Sequence, residues 1–369
     1  MHYSAPGKLF ISGEWSILEV GNIGMVAAVN NRVHVDIEKS DRISVTAEDF
    51  DIRDAKAKFE NGKIVFFDID DKKKDILKLP GEAVSVSLRY LEDHQIPLRP
   101  FKITTSSREA QVDVNGEMKK VGFGSSAAVV VATVAAVLDF HGYAAKKDEI
   151  YKLSTIAHYF AQGKVGSAFD VAASTYGGLF VYSRFDPDWL TKKMEAGEKL
   201  SDIIKEKWPS FIAEELAIPD NFRLLVAWTK ESASTVNMVK QMNEFKKAEP
   251  EKYSKFMGDV ANCARSAIKA WKDNDQDAYL IALQNNREAL ARLGKETGLP
   301  IETNDLRLLA EVANECGAAG KLSGAGGGDC GIAVCFDEET ARNVIEKWKE
   351  TDLYPLDVTI DKQGVRRED

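Results

Sequence analysis

The feature that most constrains this chain is a glycine-serine stretch, Gly122-Phe123-Gly124-Ser125-Ser126, that runs directly into an apolar window from Ala127 to Leu138. The window is 12 residues long, whereas a membrane-crossing helix needs roughly 20. It therefore reads as a helix buried within a folded domain. The glycines permit a tight turn and let backbone N–H groups come close to a ligand. The serines fall where helix N-caps belong, and the start of the helix offers unpaired N–H donors and a positive dipole end. Such a loop can cradle a triphosphate, with a serine hydroxyl reaching its Mg²⁺. It can equally be a plain glycine turn with a serine cap. No Lys-Ser or Lys-Thr pair follows the glycines, so it is not a Walker A loop.

Composition narrows the classes further. A chain of 369 residues suits two domains better than one. Lys and Arg number 49 against 58 Asp and Glu, a net charge of −9 that argues against a nucleic-acid or membrane binder. An anionic substrate would need a local cluster of basic residues. The four cysteines, Cys263, Cys316, Cys330 and Cys335, show no C-x-x-C spacing. Neither a disulfide framework nor a zinc site is expected, and a reducing cytoplasm is the natural setting. The opening residues carry no basic start followed by a long apolar run, so no signal peptide is expected.

Strand-like alternation fills the first hundred residues. Val33–Ile37 and Ile43–Thr46 flank a turn-like Lys39-Ser40-Asp41 and suggest a hairpin. Further strands are expected at Ile64–Ile69 and Phe101–Thr105, with a helix at Asp75–His94 between them. Helices follow at Ser125–Phe140 and Lys147–Gln162, then a short segment at Phe169–Thr175 and a strand at Leu179–Phe185. The polar stretch Asp186–Glu215 is the expected boundary, dividing the chain into domains 1–185 and 186–369. Beyond it lie a strand at Phe222–Trp228, helices near Thr235–Lys246, Glu251–Lys272, Asp275–Leu293 and Asp305–Cys316, and a strand at Cys330–Phe336. A helix at Glu338–Lys349 and a strand at Leu356–Ile360 finish the pattern. Mixed strands and helices without a regular βαβ repeat point to the α+β class.

Two more motifs carry chemistry. In Lys321-Leu322-Ser323-Gly324-Ala325-Gly326-Gly327-Gly328-Asp329-Cys330, four glycines occupy five positions, an entropic burden that suits a backbone wrapped around an anion. A flexible linker fits poorly, because a strand-like run follows at once. Near the start, Pro6-Gly7 is expected to force a turn, after which Lys8 enters a strand. Alone, Lys8 would read as a solvated surface charge.

Taken together, P-G-K-x-x-x-x-G-E at Pro6–Glu14, G-x-G-S-S-A-A at Gly122–Ala128 and S-G-A-G-G-G-D at Ser323–Asp329 resemble the GHMP kinases. The resemblance implies their two-domain fold, with an N-terminal domain like ribosomal protein S5 domain 2 and a C-terminal ferredoxin-like α/β sandwich. Within that superfamily the segment Ala157-His158-Tyr159-Phe160-Ala161-Gln162-Gly163-Lys164-Val165-Gly166-Ser167-Ala168-Phe169-Asp170 resembles the phosphomevalonate kinase family. Ala227-Trp228-Thr229 with Ser232-Ala233-Ser234-Thr235, and Asn286-Arg287 through Gly298–Thr303, look like the same family. A mevalonate kinase would carry a metal-binding glutamate where Tyr159 stands. Departures from the pattern are Ala168 in place of glycine, Phe123 in place of leucine, and Lys230-Glu231 in place of a glycine. Ala168 is expected to narrow the pocket near Asp170.

The resemblance implies ATP and Mg²⁺ as cofactors and phosphomevalonate as acceptor, with a diphosphate product. It implies no nucleic-acid or membrane partner, and a monomer or homodimer. It makes Lys8 and Asp170 the catalytic pair, and the backbone of Gly122, Gly124, Ser125, Ser126 and Ala127 the ATP site. Ser126 is the candidate metal ligand. Acceptor-binding candidates are Lys8, Lys102, Ser167, Arg287, Lys321, Ser323, Gly324 and Ala325, with Lys164 as a further basic residue. His158 is expected to be structural. The rivals are a mevalonate kinase or another small-alcohol kinase of the superfamily, and a catalytically silent small-molecule sensor on the same fold. A dinucleotide oxidoreductase is excluded, because no G-x-G-x-x-G lies between a strand and a helix.

Overall fold

A computed structural model describes residues 1–107, 111–114, 117–231 and 235–369. Strand β1 (His2–Ser12) pairs antiparallel with the long β2 (Gly24–Lys39). The Pro6-Gly7 pair does not turn the chain. It lies inside β1 as an irregularity where the register to β2 shifts. A reason for glycine there is close packing: a Cβ at Gly7 would stand 2.7 Å from the Phe123 carbonyl oxygen. That approach lets the Lys8 N–H donate to the same oxygen at 2.8 Å.

Strands β3 (Ile43–Ala47), β4 (Ile52–Glu60) and β5 (Lys63–Phe66) form a meander. Helices α1 (Asp71–Ile76) and α2 (Lys78–Asp93) then lead to β6 (Phe101–Ser106). The expected hairpin between β2 and β3 does not form. Strand β6 inserts between them, antiparallel to β2 and parallel to β3, so each finds its ladder with a distant segment. The ribbon β7 (Gln111–Val114) and β8 (Glu117–Lys120) precedes α3 (Ser125–Phe140). Helix α3 is buried along most of its length, as its apolar run requires, and packs against α2, α4 (Lys147–Ala161) and β2. Each fully buried valine in it contributes on the order of 1.5–3 kcal/mol.

Helix α5 (Phe169–Tyr176) and β9 (Leu179–Ser183) follow, then α6 (Pro187–Glu195), α7 (Leu200–Lys205) and β10 (Ile212–Leu216). The stretch 186–215, expected to be a domain boundary, instead builds these helices and pairs β10 with β9 at the edge of the first sheet. A division at residue 185 thus falls inside this unit.

The remaining chain supplies β11 (Arg223–Trp228) and four helices: α8 (Thr235–Ala248), α9 (Pro250–Lys272), α10 (Gln276–Thr297) and α11 (Asn304–Glu315). It ends with β12 (Ala319–Leu322), β13 (Cys330–Cys335), α12 (Glu338–Lys349), β14 (Tyr354–Leu356) and β15 (Arg366–Arg367). Among the described residues, the strands form a nine-stranded sheet, a four-stranded sheet ordered β12-β13-β11-β14, and the two-stranded ribbon. Strand β15 belongs to the larger sheet, where it pairs with β1. One apolar cluster includes Leu9, Ile11 and Phe123 on one side and Val226, Trp228 and Ile332 on the other, so the two sheets share a core. Among the described residues, no helix is long and apolar enough to cross a membrane.

Candidate active site

A cleft of about 540 Å³ opens beside this shared core. It is lined by Lys8 on β1, the segment after it from Glu14 to Leu18, the loop before α3, the end of α4, the loop before α5, and the glycine loop between β12 and β13. The three sequence motifs, far apart in the chain, meet here.

The phosphate-loop candidate is shaped by two close approaches. Gly124 has φ +81°, and a Cβ there would lie 2.9 Å from the Lys8 side chain. Gly122 faces Asp329: a Cβ would come within 1.5 Å of its carboxylate. Gly124 is the N-cap of α3, and no side chain caps this helix. Ser125 and Ser126 are therefore its first two residues, not its caps, and both line the cleft. Ala127 is fully buried in the core and its N–H bonds to the Gly124 carbonyl at 3.1 Å. It does not line the cleft.

Lys8 Nζ donates to the Gly122 carbonyl at 2.8 Å and sits 5.7 Å above the Phe169 ring. This brings it beside the N-terminus of α5, where Asp170 is the second helical residue. The helix N-terminus favours the negative charge of Asp170, whose Oδ1 accepts from the Val171 N–H at 3.0 Å. Its Oδ2 lies 4.0 Å from His158 Nε2. That ring nitrogen is 3.4 Å from Ser126 Oγ and 3.0 Å from the Gln162 amide nitrogen. His158 is buried and joins the starts of α3 and α5.

The loop before α5 is held from β9 and the residue after it. The Tyr182 hydroxyl donates to the Ser167 carbonyl, and burial pushes the phenol well above its ordinary pKa. Arg184 donates to the carbonyls of Leu18 at 2.7 Å and Gly166 at 3.1 Å. Sequence reasoning missed both residues, since nothing in a strand sequence marks which loop it braces. Ala168 has φ +59°, in the left-handed region that favours glycine. The departure from glycine is thus felt as backbone strain at the residue that caps α5.

The second glycine loop is fixed to β1 and its continuation. Ser323 Oγ both accepts from the Phe10 N–H and donates to the Phe10 carbonyl, each at 2.9 Å. Trp15 Nε1 donates to the Ala325 carbonyl at 3.1 Å. Ser323, Gly324, Ala325 and Ser167 all line the cleft. Part of the glycine content has a packing cause: a Cβ at Gly326 would stand 2.0 Å from the Ile301 carbonyl oxygen.

The basic cluster expected for the acceptor assembles differently. Lys102 lies on β6 beside Glu38, 3.8 Å away. Arg287 on α10 is held by Glu302 at 2.7 Å and Glu311 at 3.6 Å. Lys321 is fully buried in an ion pair with Glu14, and burial lowers its pKa while Glu14 draws it back up. Lys164 pairs with Glu195 at 3.0 Å. None of the four lines the cleft, and each has a carboxylate partner elsewhere. Among the described residues, the basic side chains that do line it are Lys8 and His158. The Ser232-Ala233-Ser234 part of the sequence pattern lies outside the described residues.

Residues 83–178 match the GHMP kinases N terminal domain and residues 274–352 the GHMP kinases C terminal domain. The phosphomevalonate kinase of Streptomyces sp. (strain CL190) is 32% identical over 98% of this chain and 97% of its own. The chain belongs to the GHMP kinase family. A mevalonate kinase of Thermococcus sibiricus is 28% identical, over 99% of this chain and 98% of its own. The structure of Streptococcus pneumoniae phosphomevalonate kinase in complex with phosphomevalonate and AMPPNP superposes with a TM-score of 0.83. It is 25% identical and covers 98% of this chain and 99% of that one.

Proposed function

We propose that this chain transfers the γ-phosphoryl group of ATP to (R)-5-phosphomevalonate, giving 5-diphosphomevalonate in the mevalonate route to isoprenoids. The observation that carries the reading is the meeting of Lys8, the Gly122–Ser126 loop and Asp170 in one cleft. Full-length similarity to the Streptomyces phosphomevalonate kinase and to the pneumococcal complex supports the choice of acceptor.

Phosphoryl transfer asks for alignment and for positive charge around the moving group. The Gly122 N–H is taken by Asp329 and that of Ala127 by Gly124, so the N–H groups of Gly124, Ser125 and Ser126 at the start of α3 are the donors for the ATP phosphates. Lys8 has three N–H donors. The Gly122 carbonyl holds one, which leaves two for the transferring phosphoryl group. The acceptor's phosphate has a second pKa of about 6 and is largely ionised at neutral pH. Asp170 therefore need not remove a proton; it places a carboxylate at the start of α5, facing His158 and the Mg²⁺–phosphate side of the cleft.

Among the described residues no three His, Cys, Asp or Glu side chains cluster as a metal cage. The cleft nevertheless offers hard oxygen donors in Ser126 and Asp170, the donor chemistry that Mg²⁺ prefers when it keeps most of its waters and phosphate ligands. Ser126 and Asp170 are the residues that would hold it, and when bound it neutralises phosphate charge. Ser167, Ser323, Gly324 and Ala325 supply hydroxyl and backbone groups to the acceptor. The four free cysteines accord with action in a reducing cytoplasm.

The test is an ATP-consumption assay on phosphomevalonate and mevalonate side by side, with the product identified by mass. Strong preference for phosphomevalonate and a diphosphate product are expected. Preference for the alcohol would overturn the reading in favour of a mevalonate kinase, and turnover of neither would favour a silent sensor.

A further inference from the structure

Gly122 is gripped at both of its backbone polar groups. Its N–H donates to Asp329 Oδ1 at 3.0 Å, and its carbonyl accepts from Lys8 Nζ at 2.8 Å. The N–H and the carbonyl of Gly122 belong to successive peptide units joined through the φ and ψ of a glycine, the residue with the widest freedom in both, so a group that holds the N–H and also crowds the Cα narrows the directions open to that carbonyl. Here the holder is a carboxylate from the other sheet's glycine loop, packed so tightly on Gly122 that a Cβ would reach 1.5 Å from it.

Asp329 is itself braced. It is a non-glycine residue at φ +64°, in the left-handed region that L-residues seldom adopt. Its N–H donates to the Glu231 carbonyl at 2.7 Å, and its own carbonyl accepts from the N–H of Thr229 at 2.8 Å. A carboxylate held in this way against an unfavourable backbone angle has to be accounted for by what it touches.

We propose that Asp329 is a positioning residue for Lys8: by holding the Gly122 N–H and packing against its Cα, it narrows the directions open to the carbonyl that keeps the Lys8 ammonium beside the transferring phosphoryl group. The inference rests on the role given to Lys8 above. It makes the seventh residue of the second glycine motif a partner of the first and third motifs, and not a further ligand of the acceptor. Misplacing a catalytic group by about 1 Å is enough to cost 100-fold in rate.

The experiment compares Asp329→Ala and Asp329→Asn by steady-state kinetics and thermal melting. Asparagine keeps an acceptor oxygen for the Gly122 N–H; alanine does not. Asp329→Ala is expected to lower kcat by about 10- to 100-fold with the KM for ATP changed by less than about 3-fold, and Asp329→Asn to stay within about 3-fold of the parent. Gly122→Ala, which drives a methyl into the carboxylate, should slow the parent but add no further loss to Asp329→Ala. A folded Asp329→Asn as slow as the alanine variant would overturn the proposal. So would an unchanged kcat in Asp329→Ala, or tighter ATP binding in either variant, which would make the carboxylate a mere occupant of the phosphate place. Should the alanine variant not fold, the asparagine comparison decides alone. If the parent turns over mevalonate and not phosphomevalonate, the functional reading fails, and the same variants compared on mevalonate still test Asp329.

Discussion

Lys321 and Glu14 form an ion pair in which both side chains are buried, one on β12 and the other just beyond β1. The lysine also donates to the Leu322 carbonyl at 2.7 Å. The pair ties the two sheets together beneath the cleft, and it uses a charge that otherwise would be free for an acceptor phosphate. Removing one partner leaves the other charge buried alone. Lys321→Met is therefore expected to destabilise the protein by about 3–5 kcal/mol, and the double variant Lys321→Met with Glu14→Leu to recover most of that. Urea unfolding of the four proteins measures the cycle, and simple additivity would count against the pair.

Lys8→Met and Asp170→Ala are each expected to lower turnover by at least about 100-fold while ATP still binds. Calorimetry with a non-hydrolysable nucleotide reports the binding and a coupled assay the rate. Near-normal turnover in either variant would remove that residue from the catalytic pair.

Arg287 spends its guanidinium on Glu302 and Glu311. Arg287→Ala should therefore cost about 1.5–3 kcal/mol of stability and leave the KM for the acceptor near that of the parent. A large rise in that KM with unchanged stability would restore the residue to the substrate site.

Ala168→Gly relieves a left-handed alanine worth about 1–2 kcal/mol, offset by the greater freedom of glycine in the unfolded chain, about 0.4–1 kcal/mol. A melting temperature equal to or slightly above the parent's is expected. A clear fall would show that the methyl, packed in the core cluster, matters more than the backbone angle.

His141 is buried, with Nδ1 2.8 Å from the Val137 carbonyl and Nε2 accepting the Arg99 N–H at 3.1 Å. Burial pushes its pKa below the ordinary 6.5. Below 6.5 the unfolded chain takes up a proton that the folded chain does not, so stability is full above that value and falls as pH drops toward the lowered folded pKa. Denaturant titrations from pH 7.5 to 5 should show this loss, and His141→Gln should flatten that part of the profile. An unchanged slope in the variant would assign the loss to other groups.

The residues legible in the sequence were those whose chemistry is local. Glycines at 122 and 124, serines opening an apolar helix and an aspartate opening another can be read from neighbours alone. The fate of each lysine could not: Lys321 reads the same whether it meets a phosphate or Glu14, and only the tertiary fold decides. The same holds for the hairpin expected between β2 and β3, since a strand's alternation states which face is buried and nothing about which strand lies beside it. Pro6-Gly7 misled for a related reason, because the glycine answers to the Phe123 carbonyl and not to a turn.

Strand β15 pairs Arg366 with Ser4, so the strand that carries Lys8 takes its outer neighbour from the far end of the sequence. Arg32 seals the same junction by donating to Asp361 and to the Gly364 carbonyl inside the protein. Closing so large a loop carries an entropic penalty, which the Arg32 contacts and the core shared by the two sheets help to offset. The last strand of the first sheet follows the second sheet in the chain and the two share a core, so they should melt together in one transition instead of as separable halves.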